Sequence, residues 1–535
     1  MTQSIPPDGP GPSFTERIAV WGLTFVVLAA CAPRFLDYLR PPTGDEVFYL
    51  ITAQSIVHDR DLDETNQFAD KAWLEYYPTC AESRAQDWKG FHPPGIPCSP
   101  DSRLEPDTTH TLRRGTFTKH GLGLSFLIAP AYALGGRRAV VWLLNGCTAL
   151  LALNIFLLAW DAAGQRRIAW YCWGALSFTA PVFSYAFLIF PQLVGALCVL
   201  YAFRRARCAA VARLYGTPSH AFAAPANSAL QMAGVALCLG FLPWLHSLYI
   251  VVVVPLLGYL FGGGRRPVHG FLSHDGRTPS ATSFGGQIAF VLIVLALGTL
   301  YAAWQTYLHG VPWPPATDHH GFNGPLLVPV GLLGLFFDQK YGLLLYNPMY
   351  LIPIAWLFRL AAARRRIDSM WDTELIWLLA IMGPYYLLVA DYSRWWGEWC
   401  PPARYMLPIA PLLTLPLARA LAHARSRLLT WYARGALAWA AALSLAFLLN
   451  PILSYNWEGP RPCALLLWFE DHYALFRTVA LGNFFPSYVN FTELPSLSYP
   501  VQAAWLALSV WLGARMTRGA PPAHQSAARA RIEVG

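Results

Sequence analysis

The sequence predicts an all-α membrane protein whose helices cross the bilayer many times. Of its 535 residues, 55% are hydrophobic and only 13% are charged, so a soluble fold could not cover its surface with polar groups. Apolar runs of near-spanning length recur along the whole chain. The net charge of +9 comes from Arg clusters between these runs, which is typical of cytoplasmic loops and not of a nucleic-acid surface. We expect a bundle of about 11–13 transmembrane helices.

The two ends of the chain are predicted to lie outside this bundle. Residues 1–16 are rich in Pro, Gly and Ser and predict a disordered tail. Residues 515–535 form a basic tail that we place in the cytoplasm. The first apolar run, residues 18–32, is not followed by a small-residue cleavage site and is expected to remain as an anchor. The transmembrane domain is therefore expected to be 17–514.

A large acid-rich loop, residues 35–120, follows the first run and holds fourteen of the thirty acidic residues. Thr43 and Glu46 fit a capping box, so a short helix is predicted to begin here, with Glu46 reaching back to the cap. Asp45 would then lie exposed in the first turn. An acid held at the membrane surface suits the deprotonation of an acceptor hydroxyl, although this stretch alone favours a capping role for both acids.

The cysteine positions give no support for a zinc or redox site and permit one disulfide in an oxidising compartment. The sequence has no Cys-x-x-Cys pair. Cys80 and Cys98 lie in the large loop, where a disulfide between them is permitted. Cys400 and Cys463 lie in later loops that we also place outside the cytoplasm.

The apolar runs after the large loop predict the topology but leave one conflict. If the large loop is outside and the Arg cluster at 204–207 is inside, an odd number of crossings must separate them, yet four runs are visible. We expect the incomplete crossing near Phe190-Pro191-Gln192, because proline breaks helices. Arg137-Arg138 and Arg166-Arg167 cannot both be inside under three complete crossings, and this conflict stays open. The four runs are 121–136, 139–160, 168–188 and 189–203.

After residue 200 every multi-Arg cluster falls on the cytoplasmic side, which places the loops rich in aromatic residues and acids outside. The later runs are 229–244, 247–262, 285–307, 342–360, 374–390, 405–422, 429–449 and 500–514. The outer loops are therefore predicted at 35–120, 308–341, 391–404 and 450–498.

Three outer segments carry candidate binding residues. Lys119 and His120, at the return to the membrane, suit a lipid phosphate but could equally be an interfacial anchor and a helix start. Lys340 lies among alternating acids and aromatics, where a plain interfacial belt is an even alternative. The loop at 391–404 is the densest, because aromatic faces pack on sugar rings and Arg grips phosphate. Its candidate residues are Arg394, Trp395, Trp396 and Arg404.

Short motifs carry a resemblance to a known superfamily. They are Gly44-Asp45-Glu46 after the first run, Lys119-His120-Gly121 at the end of the large outer loop, and Pro402-Ala403-Arg404-Tyr405-Met406-Leu407-Pro408 before a late run. With them the chain resembles the GT-C membrane glycosyltransferases, and most of all the bacterial branch near the aminoarabinose transferases and protein O-mannosyltransferases. The resemblance covers nearly the whole chain in layout but only these motifs in residues.

This resemblance implies an enzyme of the bacterial inner membrane that takes a sugar from a polyprenyl-phosphate donor on the outer, periplasmic face. It implies that Asp45 is the essential acid, with Glu46 beside it, and that Arg404 and Tyr405 form the late motif. Many relatives have a second acid where this chain has Gln192. A metal site built on that acid is therefore in doubt, and a divalent metal stays open.

Such a transfer needs a base for the acceptor hydroxyl and positive charge for the departing phosphate. We expect Asp45 to be the base and the reaction to invert the anomeric carbon. The expected partners are the lipid-linked donor, membrane lipid, and a glycolipid, polysaccharide or protein acceptor, with no nucleic acid. The residues expected to bind the donor are Lys119, His120, Lys340, Arg394, Trp395, Trp396, Arg404 and Tyr405.

Two other classes remain as alternatives. A transporter or flippase of a lipid-linked sugar would place ionisable groups near the bilayer midplane and show internal repeats. The apolar runs are almost free of acid and show no repeat. A non-catalytic scaffold would not account for the Trp, Arg and acid residues at 391–405.

Overall fold

A computed structural model describes residues 11–38, 44–75, 104–109, 111–215, 229–263, 284–313, 321–362, 370–423, 426–456, 462–489 and 498–518. Within these ranges the chain is helical, with only isolated β-bridges between extended segments. The predicted cap Thr43 and the proposed Cys80–Cys98 disulfide lie outside the described residues. Cys400 and Cys463 are buried free thiols.

The described part of the chain contains nineteen α-helices, joined by loops and short 3-10 helices. In order they are α1 (Phe14–Tyr38), α2 (Glu46–His58), α3 (Thr65–Ala69), α4 (Leu122–Ala163), α5 (Arg166–Ser177), α6 (Val182–Tyr185), α7 (Pro191–Tyr215), α8 (Ala229–Leu245), α9 (Ile250–Gly262), α10 (Phe284–His309), α11 (Val328–Phe337), α12 (Leu343–Tyr346), α13 (Leu351–Ala362), α14 (Met370–Asp391), α15 (Thr414–His423), α16 (Arg427–Leu449), α17 (Ala464–His472), α18 (Ala474–Val479) and α19 (Ser498–Met516).

The all-α polytopic membrane fold predicted from composition is confirmed. Five helices in the described ranges, namely α1, α4, α10, α14 and α16, are long and apolar enough to cross a membrane. Four shorter apolar helical segments accompany them: Ala229–Leu245, Ser247–Gly262, Val328–Phe337 and Pro348–Ala362.

Two predicted runs are broken rather than continuous helices. The run 342–360 is interrupted at Asn347-Pro348, where the Asn347 side chain accepts a hydrogen bond from the Met349 N–H at 3.3 Å. The run 405–422 becomes α-helical only at Thr414, after a buried segment that contains two prolines and ends in the 3-10 helix Ala410–Leu413.

Helix α1 begins at Phe14, within the segment 1–16 that was predicted as a tail, and residues 1–10 lie outside the described residues. Ser13 and Glu16 form a capping box: the Ser13 Oγ accepts from the Glu16 N–H at 3.1 Å, and the Glu16 carboxylate accepts from the Ser13 N–H at 2.9 Å. This Ser-x-x-Glu signature was visible in the sequence and marks the true helix start.

Helix α4 is kinked into two arms at a glycine pair. Gly135 and Gly136 have non-helical backbone angles, and Gly136 has a φ of +55°, which suits glycine. The first arm, 122–134, packs on α2, and the Ser125 hydroxyl donates to the Tyr49 carbonyl at 3.2 Å. The second arm, 137–163, is about 40 Å long and can cross a bilayer alone.

Ion pairs with α1 show the direction of this second arm. Arg138, at its start, pairs with Asp37 near the C-terminal end of α1 at 3.9 Å. Arg166, just after its end, pairs with Glu16 near the N-terminal end of α1 at 2.8 Å. The two Arg pairs therefore lie at opposite ends of the bundle, which resolves the conflict in the predicted topology.

The incomplete crossing is the run 121–136, and not the pair around Phe190 as predicted. The short helices α5 and α6 return the chain to the Asp37 end, where the ring of Phe187 stacks on Phe35 at 4.1 Å. Helix α7 then crosses again, so three crossings separate the large loop from the Arg cluster at 204–207.

Buried charges join four helices at the opposite end of the bundle. Arg207 of α7 and Arg419 of α15 both pair with Glu374 of α14, and Arg204 pairs with Asp161 of α4 at 3.6 Å. The predicted cytoplasmic Arg loop is thus part of a helix, and two of its Arg side chains are buried against acids from other helices.

Candidate active site

A carboxylate and a guanidinium from distant parts of the chain meet at the N-terminal end of α2. Asp45 is the residue immediately before the helix, and its carboxylate forms an ion pair with the Arg404 guanidinium. The Asp45 side chain is 27% exposed and the Arg404 side chain 10%. Asp45 is therefore less exposed than predicted, while one face of the pair stays open.

Glu46, whose predicted contact with the cap Thr43 lies outside the described residues, is the first residue of α2. It is fully buried, and its carboxylate accepts a hydrogen bond from the backbone N–H of Ile189 at 2.9 Å. Glu46 therefore anchors the segment before α7 to the start of α2. The adjacent acids have different surroundings, and only Asp45 is open to a ligand.

Arg404 is held rigidly from three directions. Its Nη1 donates to the Gly397 carbonyl at 3.1 Å, and its guanidinium lies 4.5 Å from the centre of the Phe190 ring. The adjacent Ala403 N–H donates to the Tyr341 carbonyl at 2.9 Å. These contacts leave the Nη2 side of the guanidinium directed at Asp45.

Tyr405, the second residue of the late motif, lies beside the same pair. Its ring centre is 5.5 Å from the Arg404 guanidinium, and its ring packs edge-on against Tyr392 at 6.1 Å. Burial raises the pKa of the Tyr405 phenol, so the hydroxyl stays protonated.

The return motif lies next to the start of α2, and both of its polar side chains already contact an acid. Lys119 and His120 both contact Asp107, at 2.7 Å and 3.1 Å, and this acid was not predicted as a site residue. The His120 ring lies against Phe48 and Tyr49 in the first turn of α2, with both ring centres 5.3 Å away. Asp107 therefore holds Lys119 and His120 in place beside the start of α2.

Two glycines in the return motif are required by a close approach of backbone. A Cβ on Gly121 would overlap the carbonyl oxygen of Leu245, and one on Gly123 would lie 2.8 Å from the carbonyl carbon of Trp244. The turn after α8 therefore rests directly on the segment that carries His120. This contact brings His246, the residue after Leu245, into the site.

His246 is a site residue that sequence reasoning missed. Its Nδ1 accepts a hydrogen bond from the Leu248 N–H at 3.2 Å, and its ring lies 5.8 Å from the Tyr249 ring. The only sequence signal was a single histidine in a turn between two apolar runs, which does not identify its neighbours.

The charges in this cluster set the protonation states of two groups. Burial alone would raise the pKa of Asp45, but Arg404, His120 and Lys119 outweigh it and lower that pKa to about 2. Burial, Arg404 and His120 lower the pKa of His246 to about 4, against an opposing effect of Asp45. At neutral pH Asp45 is a carboxylate and His246 is neutral.

Lys340 lies in the scaffold behind Arg404 and not on an open surface. Its side chain is 3% exposed, and its carbonyl accepts from the Asn456 side chain at 2.6 Å. The carboxylate of Asp338 accepts from the N–H groups of Lys340 and Tyr341, at 2.8 Å and 3.0 Å. This turn holds the Tyr341 carbonyl in place for Ala403, so the predicted direct contact of Lys340 with a headgroup is not favoured.

The two predicted sugar-binding tryptophans are structural in their placement. Trp395 is 3% exposed, and its ring lies so close to Gly334 of α11 that a Cβ there would overlap it. Trp396 is also buried, and its ring lies 5.5 Å from the guanidinium of Arg394. Arg394 pairs with Glu398 at 3.3 Å on the rim, away from the Asp45 contact.

The described residues contain no group of three or more His, Cys, Asp or Glu side chains placed to hold a metal ion. Gln192, at the position where the resemblance implies a second acid, is buried at the start of α7.

Comparisons with known proteins find solved structures of low similarity and no sequence family. No protein-family profile and no curated protein matches the chain. ArnT from Cupriavidus metallidurans in the apo state is 12% identical, with 95% of this chain and 78% of that chain covered and a TM-score of 0.42. The same protein bound to undecaprenyl phosphate is 13% identical, with 97% and 79% covered and a TM-score of 0.43.

A third similar structure is archaeal. The oligosaccharyltransferase AglB from Archaeoglobus fulgidus, in complex with an inhibitory peptide and a dolichol-phosphate, is 13% identical, with 95% of this chain and 60% of that chain covered and a TM-score of 0.40. At these identities the site residues have to be judged by their own contacts.

Proposed function

We propose that the protein is a membrane glycosyltransferase that moves a sugar from a polyprenyl-phosphate donor to an acceptor hydroxyl. The observation that carries the proposal is the Asp45–Arg404 pair, a partly exposed carboxylate beside a rigidly held guanidinium at one end of an apolar helical bundle. A carrier lipid can lie along apolar helices while its phosphate stays at the bilayer surface, which is where such a pair is needed.

In this proposal Arg404 binds the phosphate of the donor. A guanidinium suits phosphate because it presents planar, paired N–H donors that stay charged. Its contacts with Gly397 and Phe190 fix it before the substrate arrives, so little ordering is needed on binding. Lys119 and His120 add positive potential nearby, although Asp107 neutralises part of it.

Asp45 acts as the general base in the same proposal. While paired with Arg404 it is a weak base, since its pKa is about 2. A donor phosphate that engages Arg404 shares this guanidinium, and the largely buried Asp45 then regains basicity. The base is therefore activated by the binding of the donor.

The step itself balances as a displacement at the anomeric carbon. Asp45 takes the proton of the acceptor hydroxyl as its oxygen bonds to the anomeric carbon. The bond from that carbon to the phosphate oxygen breaks, and the lipid phosphate leaves with the electron pair beside Arg404. Attack opposite the phosphate inverts the anomeric carbon.

Location and acceptor belong to the same proposal. The Asp45 end of the bundle faces the periplasm of a bacterial inner membrane, and the buried Arg end faces the cytoplasm. Arg207 lies sixteen residues, about 24 Å, along α7 from Pro191, which is roughly the thickness of the hydrocarbon core. The acceptor is a hydroxyl of a glycolipid, polysaccharide or protein.

The test is a transfer assay with purified protein in detergent. The protein is given a polyprenyl-phosphate sugar with glycolipid, polysaccharide and protein acceptors, and release of free polyprenyl phosphate is measured. Acceptor-dependent release supports the enzyme. Movement of the intact donor across vesicles containing the protein, without release, would instead support a transporter.

A further inference from the structure

Close backbone packing places a histidine from the turn between α8 and α9 beside the candidate active site. Gly121 and Gly123 leave room for the Trp244 and Leu245 backbone, as shown by the overlap that a Cβ would cause. His120, next to Gly121, lies against the first turn of α2, which begins after Asp45. His246, next to Leu245, therefore lies near His120 and the start of α2.

The hydrogen bond made by the His246 ring decides which nitrogen is available. Nδ1 accepts the Leu248 N–H, so in the neutral ring the proton is on Nε2. Nε2 is not used by this backbone contact. The electrostatic influence of Asp45 and Arg404 on the ring agrees with the position that the Gly121 and Gly123 contacts give it. The ring therefore offers the site one neutral N–H donor.

We propose that the Nε2–H of His246 binds an oxygen of the anionic headgroup of the substrate, as a second donor beside Arg404. The inference rests on the proposed function and deepens it, because it names a further headgroup-binding residue. A neutral donor contributes a hydrogen bond to phosphate without placing another full positive charge next to Arg404. The ligand class is a phosphate monoester or diester on a polyprenyl chain.

Two substitutions separate this role from a purely structural one. In His246→Asn the amide oxygen can replace Nδ1 as the acceptor for Leu248, but nothing reaches the Nε2 position. In His246→Gln the side-chain amide can reach the Nε2 position as a donor, while the cap on Leu248 is lost. If His246 is only structural, Asn should preserve lipid-phosphate binding better than Gln. If His246 binds the headgroup, Gln should preserve it better than Asn.

The experiment measures binding of polyprenyl phosphate without sugar to purified full-length protein, so that no chemistry is required. We expect His246→Asn to bind about 10- to 100-fold more weakly than the wild type and His246→Gln to recover most of the affinity, as for a hydrogen bond to a charged group. Thermal unfolding of each variant is measured alongside as the control for folding.

The outcomes separate the two proposals. If the wild type binds the lipid phosphate and His246→Asn binds equally well, or if Asn preserves binding better than Gln, the role of His246 is overturned while the proposed function stands. If the wild type shows no affinity for polyprenyl phosphate, the proposed function fails and the role of His246 fails with it.

Discussion

The Asp45 carboxylate and the Arg404 guanidinium, 359 residues apart in the sequence, form an ion pair at one end of the helical bundle. Neither residue lies within a helix. Asp45 precedes α2, and Arg404 lies in the loop between α14 and α15. The pair depends on packing between these segments, so any test of the site has to distinguish lost chemistry from lost structure.

Arg404→Lys is expected to weaken donor use while keeping the charge. A lysine ammonium cannot contact the Gly397 carbonyl, Asp45 and a phosphate with the planar geometry of a guanidinium. We expect the KM for the donor to rise about tenfold or more. The matched control is Arg394→Lys on the rim, which pairs with Glu398 and should stay within about threefold. Equal effects in both variants would contradict a specific role for Arg404.

The pH profile should differ between the free and the donor-bound protein. The lowered pKa of Asp45 means that the ion pair stabilises the fold above about pH 4, and that this stability is lost as the pH falls toward 2. Asp45 therefore contributes no acid limb to kcat/KM between about pH 5 and 8, since kcat/KM reports the free enzyme. In kcat we expect an acid limb at higher pH, because the phosphate then shares Arg404. An acid limb in kcat/KM that is absent from kcat would contradict donor-dependent activation.

Gly121→Ala is expected to damage the site through sterics alone. Its backbone angles suit any residue, but the new Cβ would overlap the Leu245 carbonyl and push the His246 turn away from His120. We expect a loss of about 1–3 kcal/mol in unfolding free energy together with reduced transfer. The control is Gly146→Ala in α4, where no atom lies within 4 Å of the added Cβ, and it should be neutral or slightly stabilising. A stable and fully active Gly121→Ala protein would show that the turn does not rest on this glycine.

Glu374→Gln should be among the most destabilising single changes far from the site. It removes the shared partner of Arg207 and Arg419 and leaves buried positive charge, at a cost of roughly 3–5 kcal/mol. Arg166→Gln is the control, because Arg166 is 65% exposed and its pair with Glu16 should be worth less than about 1 kcal/mol. Thermal unfolding in one detergent compares the two, and similar losses would mean that the buried cluster adds nothing to stability.

The sequence predicted the all-α membrane fold and singled out both Asp45 and Arg404, which the structure brings together. Long apolar runs indicate helices because backbone groups buried in lipid must form their hydrogen bonds internally. Asp45 and Arg404 stood out as charges at the ends of apolar runs. Asp107 and His246 were not identified, since nothing in local periodicity reports a partner that arrives from another segment. The burial of Trp395 was also not foreseen, because a tryptophan at the surface and one packed on Gly334 look alike in sequence.

The incomplete crossing was placed at the wrong run for an identifiable reason. The run 121–136 is apolar enough to suggest a span, but it packs on α2 instead of crossing. The Gly135-Gly136 pair followed by two Arg residues was the signal for a break at this point. Helix lengths alone could not show it, because the deciding contacts are the Arg138–Asp37 and Arg166–Glu16 pairs.

The most direct test of the central claim compares Asp45→Asn with the wild type in the transfer assay. Asparagine keeps the size of the side chain but cannot take the acceptor proton, and it releases Arg404 for the phosphate. We expect transfer to fall by roughly 10² to 10⁴ while binding of polyprenyl phosphate is retained or strengthened. Transfer by Asp45→Asn at near the wild-type rate would contradict the account.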